Sequence, residues 1–396
     1  MAYDQEETDM KTLYLHIGTP KTATTSIQTF CSDNREILER HGYCYPLFEY
    51  KFAKASQYRN AHFLIGVIED EEGNRQYERE QEIVNEGIGR ILELFKTYDN
   101  VILSDEGIWN RGFFEDTHCW ERLKKGFKEK EIAVKVIVYL RRQDDFLFSW
   151  WNQQVKAGMV GSSVFSWDEI VEERPYIQLD YYDMLTKIST YVGVQNITVR
   201  IFDKGHFAGG SIYTDFMEAV HLELTDDYRI NSPMNNPSLT KNNIEIKRIL
   251  NMMPDLNKQK NDYFRKVVTQ LSEENPEEGR SSMFSEEENK RFLEQFREGN
   301  AKIVKEYLGK DGDLFDDTYL ADGKWQIDNE QMIRDMIRFF GTTVSYIMEE
   351  NRVLKEQDKV LKEQLEVQKQ HINNIRYKMR HPVKAVSEKL KRTGKE

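Results

Sequence analysis

The residues with the clearest capacity for chemistry lie between the first apolar run of the chain and its first helical segment. We call them the lysine turn: His16, Ile17, Gly18, Thr19, Pro20, Lys21, Thr22, Ala23, Thr24, Thr25 and Ser26. Backbone N–H groups of a tight turn, the positive end of a helix, an ammonium group and several hydroxyls together suit a multiply charged anion. The lysine turn therefore predicts an anion-binding site in which Lys21 supplies the positive charge.

The lysine turn is not a Walker A loop, the phosphate-binding turn of many nucleotide-binding enzymes. A Walker A loop places a glycine directly before its lysine, whereas here Pro20 precedes Lys21 and Gly18 lies three residues before it. Such enzymes also use an aspartate after a second strand to hold Mg²⁺. Asp105 and Glu106 follow a predicted strand, which leaves a P-loop nucleotide kinase open as an alternative hypothesis.

Apolar runs and helical patterns alternate along the first half of the chain and must position this turn. Runs rich in β-branched and aromatic residues predict buried strands over residues 13–17, 101–103, 133–140 and 197–202. Helical patterns cover residues 25–40, 77–98 and 144–156, and Gly42 and Gly158 follow two of them as expected stops. This alternation predicts an α/β fold with a P-loop-like parallel sheet flanked by helices.

Residues 18–26 resemble the 5′-phosphosulfate loop of sulfotransferases that use 3′-phosphoadenosine 5′-phosphosulfate (PAPS) as sulfuryl donor. In that family an arginine after a strand, with a serine eight residues later, holds the 3′-phosphate of the donor. Here Arg141 follows the predicted strand and Ser149 lies eight residues on. Residues 16–18 and 141–145 are most similar to the bacterial carbohydrate-type sulfotransferases.

The resemblance covers roughly residues 11–251 and implies which residues hold the donor. The 5′-phosphosulfate would lie against Gly18, Thr19, Pro20, Lys21, Thr22, Ala23, Thr24, Thr25 and Ser26. Arg141 and Ser149 would hold the 3′-phosphate, and Ser238, in a late helical segment, would lie near the nucleotide. Adenosine 3′,5′-bisphosphate (PAP) would be the product, and no metal ion would be needed.

Sulfuryl transfer moves SO₃ in line from a phosphate oxygen to an acceptor hydroxyl. It needs positive charge at the departing oxygen, which Lys21 would supply, and a base for the acceptor proton. Glu106 is one candidate base, because it follows the strand over residues 101–103 at the edge where α/β sheets place their sites. His62 is the other, since a neutral imidazole is a good base near pH 7. Both resemble family positions, and we place Glu106 slightly ahead.

Two adjacent tryptophans, Trp150 and Trp151, follow the arginine and serine on the same predicted helix. Adjacent helical positions point in different directions, so one ring is expected in the core. The other, Trp151, is our candidate for stacking on a sugar ring of the acceptor, with His62 close to the same substrate. Burial of both rings in the core is the alternative.

Composition limits the classes of function. The length of 396 residues predicts two or three structural units. The net charge of -12 argues against general nucleic-acid binding. Cys31, Cys44 and Cys119 show no metal-ligand spacing and leave one cysteine over in any disulfide scheme, which favours a reducing compartment. The acidic N-terminal segment has no apolar core, and no apolar run is long enough to span a membrane. We therefore expect a cytoplasmic protein.

The C-terminal region carries a heptad pattern. We expect an α/β core over residues 11–234, a helical subdomain over 235–330, a coiled coil over 331–380 and a basic tail over 381–396. The fourteen seam positions are Ile333, Ile337, Phe340, Val344, Ile347, Asn351, Leu354, Asp358, Leu361, Leu365, Gln368, Ile372, Ile375 and Met379. Eleven of them are apolar, which predicts a homo-oligomer; one solvated helix docked on its own chain is the alternative.

Residues 376–396 carry eight basic and two acidic side chains, a net charge of +6. This end of the chain is compatible with peripheral contact to an anionic membrane surface at the inner face, and equally with a solvated helix end.

Taken together, the residues predict a PAPS-dependent sulfotransferase that acts on a hydroxyl or amine of a carbohydrate or glycan. A P-loop kinase is the first alternative. The second is a non-enzymatic coiled-coil interaction protein whose α/β domain has lost its activity, although intact Lys21, Arg141 and Ser149 argue against such loss.

Overall fold

A computed structural model describes residues 10–52, 55–174, 177–231, 238–275, 281–316 and 318–380. The chain divides into two compact units, residues 1–327 and residues 328–396.

Five parallel strands form the central sheet of the first unit. They are β1 (Thr12–His16), β2 (Tyr43–Cys44), β3 (Asn100–Ser104), β4 (Ala133–Leu140) and β5 (Ile197–Ile201). Their order across the sheet is β2-β3-β1-β4-β5, and all four pairings are parallel. The predicted α/β fold with a parallel sheet flanked by helices is confirmed, and β2, a strand of two residues, is the one the sequence patterns did not predict.

Helices cover the sheet and build the rest of both units. The α-helices are α1 (Thr24–Asp33), α2 (Arg35–Arg40), α3 (Tyr77–Leu94), α4 (Gly107–Arg111), α5 (Cys119–Gly126), α6 (Gln143–Ala157), α7 (Trp167–Glu173), α8 (Tyr181–Val192), α9 (Ile212–Ala219), α10 (Lys241–Asn251), α11 (Lys258–Glu274), α12 (Glu286–Glu294), α13 (Arg297–Tyr307) and α14 (Glu330–Arg380). Short 3₁₀ helices lie at His62–Leu64, Lys128–Lys130, Gly161–Val164, Val194–Asn196 and Ala208–Gly210.

The central strands are mostly apolar and buried because helices cover both faces of the sheet. All five residues of β1 are buried, and so are the last five of β4. Leu13 and Leu15 of β1 have no exposed surface. The carboxyl ends of these two strands are therefore firmly fixed, which matters because the lysine turn and Arg141 directly follow them.

The first helical segment differs from prediction. The pattern over residues 25–40 predicts one helix, but α1 ends at Asp33 and α2 begins at Arg35. Asn34 separates them: its Nδ2 donates to the carbonyls of Phe30 and Arg229, each at 2.9 Å, and its Oδ1 accepts from the Arg229 N–H at 2.7 Å. This side chain bridges to a distant backbone segment, and the helix is interrupted where that bridge forms.

The strand order places a crevice at the end of β1. β1 lies between β3 and β4, so the chain leaves it toward one edge of the sheet and leaves β4 toward the other. In open α/β sheets the connections diverge at such a point and leave a space above the carboxyl ends of the strands, where ligands bind. The lysine turn lies at this point.

Helices α10 to α13 belong to the same compact unit as the sheet. A second, two-stranded parallel sheet joins β6 (Ser281–Ser282) to β7 (Gly323–Lys324) within that unit.

Cys31, Cys44 and Cys119 are buried free thiols.

The second unit is described from residue 328 to residue 380 and contains α14, a helix of 51 residues. The eleven apolar seam residues are all exposed, from 44% at Ile375 to 69% at Met379. Their association into a coiled coil stays a prediction. The basic tail at residues 381–396 lies outside the described residues. Within the part of the chain that the structure describes, no helix is both long and apolar enough to cross a membrane.

Candidate active site

The lysine turn is anchored to the end of β4 by its backbone. The Tyr139 N–H donates to the Gly18 carbonyl at 2.6 Å, and the Thr19 N–H donates to the Tyr139 carbonyl at 2.8 Å. Gly18 has φ of 86°, and a Cβ at this position would lie 2.9 Å from the Cβ of Glu106. Glycine is required here because the turn passes so close to Glu106 in a left-handed conformation.

The middle of the turn adopts a conformation rare for residues with side chains. Lys21 has φ of 68° and Ala23 has φ of 56°. Left-handed residues within a turn bring successive N–H groups to one side, where they form an anion-binding concavity. The N–H groups of the first turn of α1 add to it, since Thr24 and Thr25 open that helix and cannot have partners within it. Such conformational strain concentrates at functional sites.

The hydroxyls of the turn divide into two groups. Thr19 Oγ1 donates to the Tyr139 carbonyl at 3.1 Å, and Thr22 Oγ1 donates to the Thr19 carbonyl at 2.5 Å; both side chains are fully buried. These two hydroxyls hold the turn in shape, so that contact of Thr19 and Thr22 with a donor would fall to their backbone; that contact stays a prediction. Thr25 is exposed and Ser26 is half-buried, so their hydroxyls face outward from α1.

Lys21 lies half-buried at the mouth of the crevice. Its Nζ donates to Oε1 of Gln153 on α6 at 3.4 Å. Burial lowers the pKa of Lys21, the nearby Arg141 lowers it further, and Glu106 partly opposes both. The structure thus gathers Lys21, Arg141 and Glu106 within electrostatic range of one another, although they come from three different parts of the sequence.

Arg141, directly after β4, faces the same space. Its guanidinium donates to the Lys21 carbonyl at 3.4 Å and lies 5.9 Å from the centre of the Phe202 ring. The Tyr181 hydroxyl fixes the Arg141 backbone by donating to its carbonyl at 2.7 Å. Ser149 is buried two turns into α6, four residues before Gln153 and therefore on the same helix face.

A cavity of about 620 Å³ lies next to Arg141. Phe202, whose ring contacts the Arg141 guanidinium, is part of the cavity wall. Aromatic rings form much of its wall, among them Phe148, Trp167, Phe284 and Tyr319. Pockets for small molecules and cofactors fall in this size range and combine aromatic walls with a few polar groups. The rings offer stacking surfaces for a flat ring system, and the wall also contains the carboxylates of Asp144, Asp145, Asp203 and Asp316.

The first candidate base, Glu106, lies against Gly18 on the other side of the turn. Its Oε2 accepts from Nε2 of Gln28 at 3.0 Å, and its Oε1 lies 3.5 Å from the guanidinium of Arg59. Burial raises the pKa of Glu106, and the neighbouring Asp105 raises it further. A carboxylate with a raised pKa is a stronger base than an ordinary one.

The second candidate, His62, is bound to Asp105. Its Nδ1 lies 2.8 Å from Oδ2 of that fully buried carboxylate. Arg59 donates to both oxygens of Asp105, at 3.0 and 2.6 Å. Burial alone would raise the pKa of Asp105, but the hydrogen bond and charge of His62 and the charge of Arg59 hold it below its ordinary value. An ionised Asp105 fixes the imidazole through Nδ1, so that Nε2 is the nitrogen left outside this hydrogen bond.

Glu106 and His62 thus belong to one network through Arg59 and Asp105. The sequence patterns did not identify Arg59 or Gln28 at all, and Asp105 was noted only as a metal ligand of an alternative enzyme. The sole signal for Asp105 is its position directly after a buried strand, next to Glu106.

His16 has a packing role. It is fully buried, and its ring contacts Tyr139 and Phe216 edge to face at 5.9 and 5.5 Å between centroids. Burial lowers its pKa to about 3, so the ring is neutral at physiological pH. Its Nδ1 lies 2.9 Å from the Ser104 hydroxyl, which holds the end of β1 to the end of β3.

Trp151 does not have a surface available to a sugar. It is 1% exposed, its Nε1 donates to the Phe165 carbonyl at 2.9 Å, and its ring packs on Trp167. The prediction that Trp151 stacks on the acceptor is wrong, because its ring is buried. The alternative, burial of both tryptophans in the core, is what the structure shows. Ser238 is exposed beside Leu239, whose backbone pairs with the side chain of Asn152 on α6.

Among the residues that the structure describes, no group of three or more histidine, cysteine, aspartate or glutamate side chains is placed to hold a metal ion.

No protein-family model matches the chain. A protein of Archaeoglobus fulgidus described as uncharacterized is 34% identical over 179 residues, which make up 44% of this chain and 46% of that protein. The chain thus spans about half the length of that relative. A crystal structure of a sulfotransferase from Alicyclobacillus acidocaldarius aligns with 66% of this chain and 94% of its own, at 14% identity and a TM-score of 0.32, which is too low to establish a common fold.

Proposed function

We propose that this chain transfers a sulfuryl group from PAPS to a hydroxyl or amine of a carbohydrate acceptor. The observation that carries the proposal is the meeting of the lysine turn and Arg141 at one edge of the sheet, with the Arg141 guanidinium bonded to the Lys21 carbonyl. A donor with anionic groups at both ends of a nucleoside needs two such cationic points. The aromatic cavity beside Arg141 is of a size to hold the nucleoside.

In this proposal the acceptor oxygen forms a bond to sulfur while the bond between sulfur and the phosphate oxygen breaks. The N–H groups of the lysine turn hold the 5′ end, and Lys21 neutralises the charge that develops on the departing phosphate. Arg141 and Ser149 hold the 3′-phosphate. The acceptor proton passes to Glu106 or His62, which lie on the opposite side of the turn from Arg141.

The position of Asp105 favours this reaction over that of a P-loop kinase. In the kinase alternative an aspartate after the second strand would hold Mg²⁺. Asp105 is instead fully buried, bound by Arg59 through two hydrogen bonds and by His62 through a third. Its oxygens are thereby used in orienting a base candidate.

The donor can be tested without knowledge of the acceptor. We expect PAP to raise the melting temperature in the absence of Mg²⁺, because a ligand that binds only the folded state stabilises it. ATP lacks a 3′-phosphate, so ATP with Mg²⁺ should raise the melting temperature less than PAP does at equal concentration. Equal stabilisation by ATP with Mg²⁺, or none by PAP, contradicts the proposal.

We also propose that α14 associates with α14 of a second copy. The eleven exposed seam residues form a long apolar stripe along α14. An apolar stripe of this length in contact with water is unfavourable and acts as a surface for association. Parallel association would bring the basic ends together and strengthen contact with an anionic surface.

Light scattering tests this association directly. We expect full-length protein to be oligomeric, and replacement of Leu354 and Leu361 by aspartate to dissociate it, because both lie in the seam. Val353 and Val360 are also exposed apolar residues of α14 but lie one position before those seam residues, so the same replacement there is the matched control. A monomeric full-length protein contradicts the association.

A further inference from the structure

Gln28 is a buried amide on α1, one turn into the helix that follows the lysine turn. It is 1% exposed. Thr24 and Gln28 lie four residues apart on the same face of α1, and both are buried. A buried amide is unfavourable unless hydrogen bonds replace those that it would make with water. The partners of Gln28 therefore indicate what this side chain holds in place.

The side-chain amide of Gln28 donates two hydrogen bonds through Nε2. One goes to Oε2 of Glu106 at 3.0 Å, and the other goes to the hydroxyl of Ser104, the last residue of β3, at 3.3 Å. The Ser104 hydroxyl in turn lies 2.9 Å from Nδ1 of His16, the last residue of β1. These contacts connect the ends of two central strands to the first candidate base.

The Glu106 carboxylate does not cap the helix that it precedes. Glu106 lies directly before α4, and its side chain makes no capping hydrogen bond to that helix. The Arg59 guanidinium, which is bound to both oxygens of Asp105, lies 3.5 Å from Oε1 of Glu106, beyond the usual length of a hydrogen bond. The shorter contact from Gln28 therefore sets the orientation of the carboxylate, and Oε1 is the oxygen left outside this hydrogen bond.

The direction of this hydrogen bond favours one protonation state of Glu106. An ionised carboxylate can only accept hydrogen bonds, so an N–H donor stabilises it. The Gln28 hydrogen bond accordingly lowers the pKa of Glu106, against burial, which is the largest influence and raises it. The other charged and titratable groups near Glu106 come from neighbouring segments and are Lys21, Tyr45, Arg59 and Asp105, with His62 bound to Asp105.

We propose that Gln28 is a positioning residue for the base, which orients Glu106 through Oε2 so that Oε1 takes the proton of the acceptor. The acceptor oxygen bonds to sulfur, its proton passes to Oε1, and the electrons of the broken bond stay on the departing phosphate oxygen. Gln28 contacts neither donor nor acceptor and acts only through Glu106. This inference rests on the proposed sulfuryl transfer and adds a residue to its mechanism.

Isotope-edited infrared spectroscopy measures the ionisation of Glu106 directly. In protein labelled with ¹³C-carboxyl glutamate, the band of Glu106 is the one that Glu106→Gln lacks. Gln28→Met should move the midpoint of its titration to higher pH by roughly one unit, because methionine has a similar length and no N–H donor. Gln28→Glu should move it further, since a second carboxyl then faces Glu106. Gln195→Met, at an exposed glutamine, is the matched control and should leave the midpoint unchanged.

Turnover shows whether the contact serves the reaction. Release of PAP from PAPS, with water as the acceptor, is followed at a pH well above the Glu106 midpoint. Gln28→Met should slow this release by roughly tenfold, as expected for loss of one hydrogen bond to a charged group, and should leave PAP affinity unchanged. In a Glu106→Gln background the same change should have no further effect, because Gln28 acts through Glu106.

An unmoved Glu106 midpoint in Gln28→Met would overturn the inference. So would an equal loss of turnover in the Glu106→Gln background, or a loss of PAP affinity, since either result would give Gln28 a role apart from the base. A wild type that neither binds PAP nor releases it from PAPS contradicts the sulfuryl transfer itself and removes the role of Gln28 with it. The Glu106 midpoint would still move in Gln28→Met in that case, which separates the two failures.

Discussion

Lys21→Ala is expected to slow sulfuryl transfer by roughly 10²–10³-fold, the usual cost of removing one group that stabilises developing charge. The half-buried ammonium lies at the mouth of the crevice, where low solvent access strengthens its effect on a departing phosphate. PAP binding should weaken far less, because Arg141 and the backbone of the turn remain. Steady-state turnover and calorimetric titration with PAP measure the two effects.

Lys187→Ala is the matched control for this change, since it removes an exposed lysine on α8 that pairs with a surface carboxylate, Asp183. Its turnover should equal that of the wild type. If Lys21→Ala turns over at the wild-type rate, Lys21 does not stabilise the leaving group and the role given to the lysine turn is wrong.

Glu106→Gln is expected to reduce turnover by roughly 10²–10⁴-fold while PAP binding persists, because glutamine keeps the shape but accepts no proton. Since burial raises the pKa of Glu106 above its ordinary 4.5, wild-type turnover should fall on the acid side at a pH above that value. Lowering the pH protonates the base, and a protonated carboxyl cannot accept the acceptor proton, so turnover falls as the pH falls. The pH profile of turnover checks this limb.

His62 provides the contrasting variant. If Glu106→Gln keeps wild-type turnover and His62→Ala loses it, the base is His62, oriented through Asp105. Asp105→Asn should then lower turnover without loss of PAP affinity, because an amide holds the imidazole ring of His62 less firmly than a carboxylate does. Wild-type turnover in both Glu106→Gln and His62→Ala would remove both residues from the mechanism.

Local sequence predicts the features of this fold and site in which neighbours along the chain act together. Buried parallel strands leave continuous apolar runs, and β4 accordingly has the bounds predicted for it. The lysine turn is one contiguous stretch, and Arg141 follows its strand directly, so both lie at the edge to which strand direction assigns them.

What local sequence could not predict depends on contacts between distant residues. His62 and Asp105 are 43 positions apart, and Asn34 interrupts the first helical segment through a bond to Arg229, 195 positions away. The burial of Trp151 depends on its contact with Trp167 across a loop. Periodicity along one helix cannot specify which of two adjacent tryptophans another element will cover.

In the proposed reaction Arg141 recognises a 3′-phosphate while Lys21 faces the 5′ end. Calorimetric titration of wild type and Arg141→Ala with PAP and with adenosine 5′-phosphate, which lacks the 3′-phosphate, measures this recognition. Wild type should bind PAP more tightly by roughly tenfold to a hundredfold, the value of one charged contact, and Arg141→Ala should lose most of this preference, keeping only what Ser149 contributes. Equal affinity of the wild type for the two nucleotides would mean that Arg141 does not recognise a 3′-phosphate and that PAPS is not the donor.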